Sequence, residues 1–572
     1  MFGLRRNARL GLISAMVCAG KRFLAIWGLS LCILMLAASA VFAQSSSRQD
    51  RSARLLDEAF QAAQWGFISS AGSAIRQMQL RRETGDGPLA NLLRRRQTLA
   101  DLQQGKEAEL AALGRDAGAS TEAQATRLSG DIEALRIEID ALDATLGADF
   151  PAYTQLTRPQ PLSIAQAQAA LRPGDGLLFI FSGENDTYSW VITPEMAAWH
   201  RVGLGRASLA TQVSNIRATL DPTSLARGAM DISQGDTGPR IAPFNRTEAF
   251  LIYAEQIAPL IPFMTGVEHL YSVVDGPLTG LPLSLLPTQL IDGADDSPET
   301  LRNTPWFFQD YALTTLPSVD SLPLIAAAGA RVASAKMSFL GFGDPDFRGT
   351  ATATSSQSLM RSGQADLEGI RGLAPLPYTR IELNRIAQTL GASDRQLYLG
   401  AAATEDAVKS ADLGAADVIV FATHGLLSGD VRGLAQPALV LSPPERATGR
   451  DDGLLTASEI SALSLDADWV VLSACNTAGS DGHPDAEGLS GLARAFLFAG
   501  ARSIMVSHWP VRDDAAARLT TGTFAKLSDQ SGVARKSRAL QAAMQEMLLD
   551  TSDPSLAHPA AWAPFVLVGE GG

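Results

Sequence analysis

The sequence predicts an α/β protein: a mostly parallel sheet flanked by helices, preceded by an all-helical segment. Two apolar runs carry the first half of that statement. Val418-Ile419-Val420-Phe421-Ala422 and Val470-Val471-Leu472 follow Asp417 and Asp468 closely, and uninterrupted apolar runs of this length belong to strands covered on both faces of a parallel sheet. The second half rests on the stretch from Arg48 to about Ala148. There Ile132, Leu135, Ile139, Leu142 and Leu146 recur at spacings of three and four, the period of a helix with one buried seam.

A chain of 572 residues exceeds one core and predicts about three to four domains. Hydrophobic content of 46% with 19% charged residues excludes a disordered or fibrous class. The net charge of −13 argues against a nucleic-acid partner, because phosphate binding needs a basic face. The leader makes that argument stronger, since Arg5, Arg6, Arg9, Lys21 and Arg22 are accompanied there by no acid.

Residues 1–43 read as a secretory signal peptide with a long basic start. After Lys21-Arg22 an apolar run spans Phe23 to Phe42, and small residues at Ala38, Ala40 and Ala43 offer cleavage before Gln44. The run also nears the roughly 20 residues that cross a bilayer, so an uncleaved anchor is the alternative. Either way the bulk of the chain is exported: periplasmic or extracellular, or anchored in the inner membrane with its bulk outside the cytoplasm. A membrane is a partner only in the anchored case. Of the three cysteines, Cys18 and Cys32 lie in the leader, leaving Cys475 as the one thiol of the remainder. It cannot be an internal disulfide staple. A thiol kept in an exported chain is open to oxidation, which favours a chemical role; the alternative is a small buried hydrophobe at a strand end.

Taken in order, 44–155 is the helical segment, broken at Gly85-Asp86-Gly87-Pro88 and from Gly114 to Ser120. Its seam serves a helical hairpin or short coiled coil, packed locally or open to a partner protein. Phe150-Pro151 and Arg158-Pro159-Gln160-Pro161 mark a boundary. An α/β part follows over 160–335: Leu177 to Phe181, a Ser182 to Asp186 turn and Tyr188 to Ile192 read as a hairpin, and Leu270 to Val274 as a strand. The last part, 336–572, opens with Phe339-Leu340 and Gly341-Phe342-Gly343-Asp344-Pro345-Asp346. That run imitates a dinucleotide loop but has Asp346 in place of the third glycine and Pro345 where a helix must start, which excludes it. Arg348 to Leu376 is a Gly/Ser/Thr-rich loop, Tyr378 to Leu390 a helix and Gln396 to Leu399 a strand. Ser442 to Asp452 is an exposed loop expected to border the site. Asn476 to Gly482 is a turn, leading to a helix with the apolar face Leu489, Leu492, Ala493 and Phe496, closed by Gly500. Ser503 to Ser507 and Pro564 to Val568 are strands.

Ligands of parallel sheets bind beyond the carboxyl ends of the strands, and His424 and Cys475 both follow strands at that edge. A His about 50 residues upstream of a Cys is a caspase-type spacing. Amide cleavage needs a nucleophile, a proton carrier and oxyanion donors. Cys475 suits the first and His424 the second, and the backbone N–H groups of Gly425 and Cys475 suit the third. His483 and His508 stay as rival bases near the same edge. The six histidines form no HExxH or other short ligand pair, Gly488-Leu489-Ser490-Gly491-Leu492 lacks the last glycine of a nucleophile elbow, and no Walker loop occurs. Neither a metal nor a cofactor is expected.

Phe421-Ala422-Thr423-His424-Gly425, Asp452-Gly453-Leu454-Leu455-Thr456, Leu472-Ser473-Ala474-Cys475-Asn476-Thr477, Glu487-Gly488, Leu492-Ala493-Arg494-Ala495-Phe496, Ala499-Gly500-Ala501, Trp509-Pro510-Val511 and Ala561-Trp562-Ala563-Pro564-Phe565 occur in that order. Together they resemble a bacterial CHAT domain over about 250–572, more weakly over 160–250. The resemblance implies a caspase-like fold related to separase, with 160–335 as a pseudo-caspase-like subdomain. It implies a thiol endopeptidase acting on protein or peptide substrates through a dyad that falls on His424 and Cys475. CHAT domains usually follow partner-binding tetratricopeptide arrays; the array is not in this sequence, and the helical segment resembles the piece between array and CHAT domain. A non-catalytic scaffold that binds a partner through the helical region and the groove is therefore the alternative. His508 stands where the family more often has Leu. Relatives such as separase cut after basic residues through an acidic pocket, for which Asp481, Asp485, Glu487, Asp513 and Asp514 are available here. Asp513 is the first choice, with Asp481 beside it; capping of a helix N-terminus is the competing role for Asp513.

Overall fold

The computed structural model describes residues 51–66, 88–113, 119–149, 161–220, 242–328, 337–347, 370–392, 395–427, 434, 436–448, 450–474, 491–528 and 535–571. The leader, the 150–160 boundary, most of the 348–376 loop, and the stretch 475–490 with Cys475, Asp481, His483, Asp485 and Glu487 lie outside them. The chain divides into two compact units, Met1–Gln61 and Ala62–Gly572. In the first, residues 51–61 are helical and Gln61 donates to Asp57 one turn back. No helix among the described residues is long and apolar enough to cross a membrane.

The second unit starts its described hairpin with α1 (Pro88–Leu113) and α2 (Ala119–Asp149). Lys106 pairs with Asp131, Arg95 with Glu138 and Arg96 with Asp143, so residues later on one helix meet residues earlier on the other, and the two run antiparallel. The seam read from the sequence turns inward, with Ile139, Leu142 and Leu146 buried. Exposed ion pairs contribute at most about 1 kcal/mol each. Full burial of a Leu or Ile contributes roughly 1.5–3 kcal/mol, so the seam holds the hairpin and the charges set its direction. Ala119 and Ser120, read as part of a break, already belong to α2.

β1 (Asp175–Ser182), β2 (Thr187–Ile192) and β3 (Ala197–Val202) form an antiparallel meander. Then come α3 (Arg206–Ala218), α4 (Arg246–Gln256), β4 (His269–Val274), β5 (Ala312–Thr315) and β6 (Phe339–Gly343). They are followed by α5 (Pro377–Thr389), β7 (Arg395–Leu399), β8 (Val418–Ala422), β9 (Gly425–Leu426), β10 (Ala438–Val440) and β11 (Leu454–Thr456). The chain continues through α6 (Ala457–Ser461), β12 (Trp469–Ser473), α7 (Gly491–Ala499) and β13 (Ser503–Ser507). It ends on α8 (Asp513–Ser528), α9 (Lys536–Leu549) and β14 (Phe565–Gly569).

Among the described residues eleven strands form one sheet, ordered β3-β2-β1-β4-β5-β14-β13-β12-β8-β6-β7. It consists of two parallel blocks, with β2 and β3 added to the edge of one as an antiparallel extension. β1, β4, β5 and β14 run one way, and β13, β12, β8, β6 and β7 the other. They meet at the antiparallel pair β13–β14, so the last strand of the chain completes the block built by its first half. β9, β10 and β11 form a small separate sheet.

The apolar runs are buried on both faces, as their lack of alternation requires. Val418, Val420, Trp469, Val471 and Met505 pack on one side with helices α5, α8 and α9. Ile419, Phe421, Val470, Leu472, Ile504 and Val506 pack on the other with α7. Leu492, Ala493 and Phe496 of the apolar face read for the next helix are buried, Leu489 lies outside the described residues, and the remainder of α7 is buried as well, because the sheet covers one side and α6 another. The glycine-rich run after Leu340 finds its reason here. A Cβ on Gly343 would stand 2.7 Å from Leu383 and one on Gly341 3.1 Å from it, so these glycines let α5 lie close on β6. The 442–452 loop is not free either: Ser442 donates to Gly400 O, Lys409 to Arg450 O and Arg450 to Asp406 and Ser410.

Candidate active site

Parallel strands deliver their ends to one edge, and the register fixes which ends are neighbours. Ala422 of β8 is opposite Ser473 of β12 on one side and Gly343 of β6 on the other. His424 follows Ala422 by two positions, just as Cys475 follows Ser473 in the sequence.

His424 is held by its surroundings. Its Nε2 lies 2.8 Å from the carbonyl oxygen of Ala374. A carbonyl can only accept, so Nε2 carries the proton and Nδ1 is the basic nitrogen of the neutral ring. Among the described residues Nδ1 makes no hydrogen bond, and the ring rests against Phe347 at 5.4 Å between centroids. Behind it Thr423 donates to Val440 O and Val440 N donates to His424 O at 2.9 Å. That bond makes 424 and 440 a hydrogen-bonded pair, and the next pair, Gly425 and Leu439, is then non-bonded, with the Gly425 N–H turned away from β10.

The end of β12 is fixed from both sides. Ser473 Oγ donates to Glu382 Oε2 at 3.2 Å, and Ser507 Oγ donates to the Ala474 carbonyl at 2.6 Å. Glu382 is a carboxyl on the buried face of α5, beside Leu383 and Ile386. Thr520 of α8 bonds its other oxygen at 2.6 Å. Burial pushes Glu382 up to about 7 against the pull of those two hydroxyls.

Asp513 opens α8, and its Oδ2 accepts from the Tyr378 N–H at 2.9 Å. The cap is thus given to α5, not to its own helix. α5 begins Leu376-Pro377 with no side-chain acceptor at its N-cap, and the free amide of its first turn takes Asp513 from across the interface. Oδ1 of Asp513 makes no hydrogen bond among the described residues. Burial raises the proton affinity of Asp513 against the pull of the Tyr378 N–H, with His424 a smaller pull in the same direction. Asp344, at φ 48, adds a second carboxylate to this edge and is paired with Arg380. Three contacts hold that unusual backbone: Asp344 N to Thr379 Oγ1, Gly400 N to Asp344 O, and the Arg380 pair.

His508, read as a rival base, is buried, and Nδ1 has no partner among the described residues. Burial, with Arg217 adding to it, pushes the ring down to about 3, so near neutral pH it is uncharged and too weak a base to take a proton from a thiol. Sequence reasoning missed Ala374, Glu382 and Ser507. Glu382 had a signal, an acid on the apolar stripe of a predicted helix; a backbone carbonyl has none. Among the described residues no group of His, Cys, Asp and Glu is placed to hold a metal.

Comparison with known proteins places these features in context. The CHAT domain family matches residues 248–570, more than half of the chain. Tetratricopeptide repeat protein 28 of Mus musculus is 29% identical over 225 residues and that of Homo sapiens 30% over 229; each match covers 34% of this chain and 9% or 8% of the relative. The chain thus spans under a tenth of the length of these curated relatives. Among solved structures, the Saccharomyces cerevisiae separase–securin complex aligns with TM-score 0.42 and 10% identity over 79% of this chain and 34% of that one. The Arg-specific cysteine proteinase gingipain R aligns with TM-score 0.32 and 12% identity over 57% and 66%. On the family match, the chain belongs to the CHAT domain family.

Proposed function

We propose that this chain is an exported cysteine endopeptidase that cuts protein substrates with Cys475 as nucleophile and His424 as its base and acid. The observation that carries the reading is the Nε2–H bond from His424 to the Ala374 carbonyl. It leaves Nδ1 as the basic nitrogen at the edge to which β8 and β12 both run. Nδ1 takes the Cys475 proton, the thiolate attacks the scissile carbonyl, and the imidazolium returns the proton to the leaving amine. The outward N–H of Gly425, with that of Cys475, receives the oxyanion. Asp513, with Oδ1 unused among the described residues, and Asp481 read a basic residue before the cut. The leader over 1–43 exports the chain.

A second reading has support in the curated relatives, which are named for tetratricopeptide repeats. In it the chain is a scaffold that engages a partner through the α1–α2 hairpin and the groove, without catalysis. Incubating the chain with a peptide library separates the two. Cleavage that disappears in Cys475→Ala supports the peptidase; no Cys475-dependent cleavage leaves the scaffold.

A further inference from the structure

Glu382 is fully buried in the interface between α5, α8 and the sheet, and no cation is paired with it among the described residues. A buried carboxylate without a cation is costly, and a glutamine would fill the same space. The groups around it give the acid a use. Ser473 is the last residue of β12, two positions before Cys475. Thr520 Oγ1 has one proton and three acceptors in reach: Glu382 Oε1, Ala516 O and Ala517 O. When Glu382 is ionised, Thr520 and Ser473 both donate to it. When it is protonated, the acid O–H donates to Thr520 Oγ1, and Thr520 turns its own proton to the helix carbonyls. Ser473 then donates to a neutral oxygen, and a charge-assisted bond is roughly twice as strong as a neutral one.

We propose that Glu382 is a positioning residue: in its ionised form it clamps the end of β12 through Ser473, and uptake of a proton loosens that clamp and slows the chemistry of Cys475. The inference rests on reading Cys475 as the nucleophile. Among the described residues the charged group that acts on Glu382 is Asp513 of α8, a like charge, while Arg380 of its own helix is engaged by Asp344. α5 packs on β6 and β8 through apolar residues, Phe339, Val418, Val420 and Ala422 among them, and β12 meets Glu382 with Ser473. The position of Glu382 at about 7 puts the change within the neutral range.

The test is the rate of Cys475 alkylation by iodoacetamide, and of peptide cleavage, from about pH 5.5 to 8.5 for the full chain, Glu382→Gln and Ser473→Ala. Glutamine keeps the shape and stands in for the protonated acid, its oxygen accepting from Ser473 and its amide N–H donating to Thr520, but it does not titrate. Both rates in the wild type should show a rise near neutrality beyond that of the thiol itself. In both variants that rise should vanish, lowering the rate at the alkaline end on the order of tenfold, since a misplacement of the order of 1 Å costs up to about a hundredfold. A Glu382→Gln profile that overlays the wild type overturns the inference, as does a rise that survives in Ser473→Ala. Absence of Cys475-dependent cleavage by the wild type sinks the peptidase reading instead, and the alkylation profile still decides the role of Glu382.

Discussion

Replacing Glu382 by Gln should change how stability depends on pH, by an amount set by its burial. The folded protein holds this carboxyl at about 7 against an ordinary 4.5. At about 1.4 kcal/mol for each tenfold change in proton affinity, the ionised form is about 3 kcal/mol worse in the folded chain than in the unfolded one. Below pH 4.5 the group is protonated in both states and costs nothing. As pH rises from there to about 7, the unfolded chain releases its proton while the folded chain keeps it, so stability falls. Above that the whole penalty is present. The variant has none of this, and every other titrating group is common to both proteins and cancels in the difference. Urea unfolding followed by tryptophan fluorescence at about pH 5, 6, 7 and 8 should show the variant gaining on the wild type by about 2–3 kcal/mol across the series. A difference that stays flat with pH would mean that Glu382 is ionised throughout, and the reasoning about its burial would be wrong.

Lys409 joins Glu405 and Glu459 beneath the 442–452 loop. Lys409→Met leaves two carboxylates facing each other and should cost about 3–5 kcal/mol by denaturation, less at acid pH where they take up protons; a loss under 1 kcal/mol contradicts the pairing. His508, held down to about 3 against an ordinary 6.5, contributes stability that is complete above 6.5 and is lost as pH falls toward 3. His508→Leu should therefore flatten the acid limb of the unfolding curve, and an unchanged limb refutes its neutral burial. For Asp513, Asn keeps an acceptor for the Tyr378 N–H and Ala does not, so Ala alone should lose about 1 kcal/mol of stability. If the charge reads a basic substrate residue, both variants should lose cleavage after Arg or Lys by tens- to thousands-fold. Loss of stability with unchanged preference would leave Asp513 as a cap.

Much of the fold was written in local pattern. The runs at 418–422 and 470–472 have no alternation because both faces of β8 and β12 are covered, and the 132–146 seam has a helical period because one side is buried. What the pattern lacked was long-range pairing. Nothing in Phe565-Val566-Leu567-Val568 says that it runs antiparallel to β13 and parallel to β5, since a fully buried strand reads the same in either direction. At 491–499 the apolar face Leu492, Ala493 and Phe496 was legible, but the burial of the remaining side was not, because a second covering layer, α6, is invisible to a periodicity count. Asp513 was legible as a cap, but the helix it caps lies more than a hundred residues upstream. His424 stood out through its place after a strand, whereas the Ala374 carbonyl that sets its tautomer is a backbone atom that no residue type announces.

The dyad is tested most directly by the rate at which iodoacetamide alkylates Cys475 at about pH 6.5, read by mass spectrometry in the wild type and in His424→Ala. An unassisted thiol titrates near 8.5 and is scarcely ionised there, whereas a His-paired one is substantially thiolate, so removing His424 should slow labelling on the order of tenfold or more. Equal rates in the two proteins would contradict the assignment of His424 as the base of Cys475.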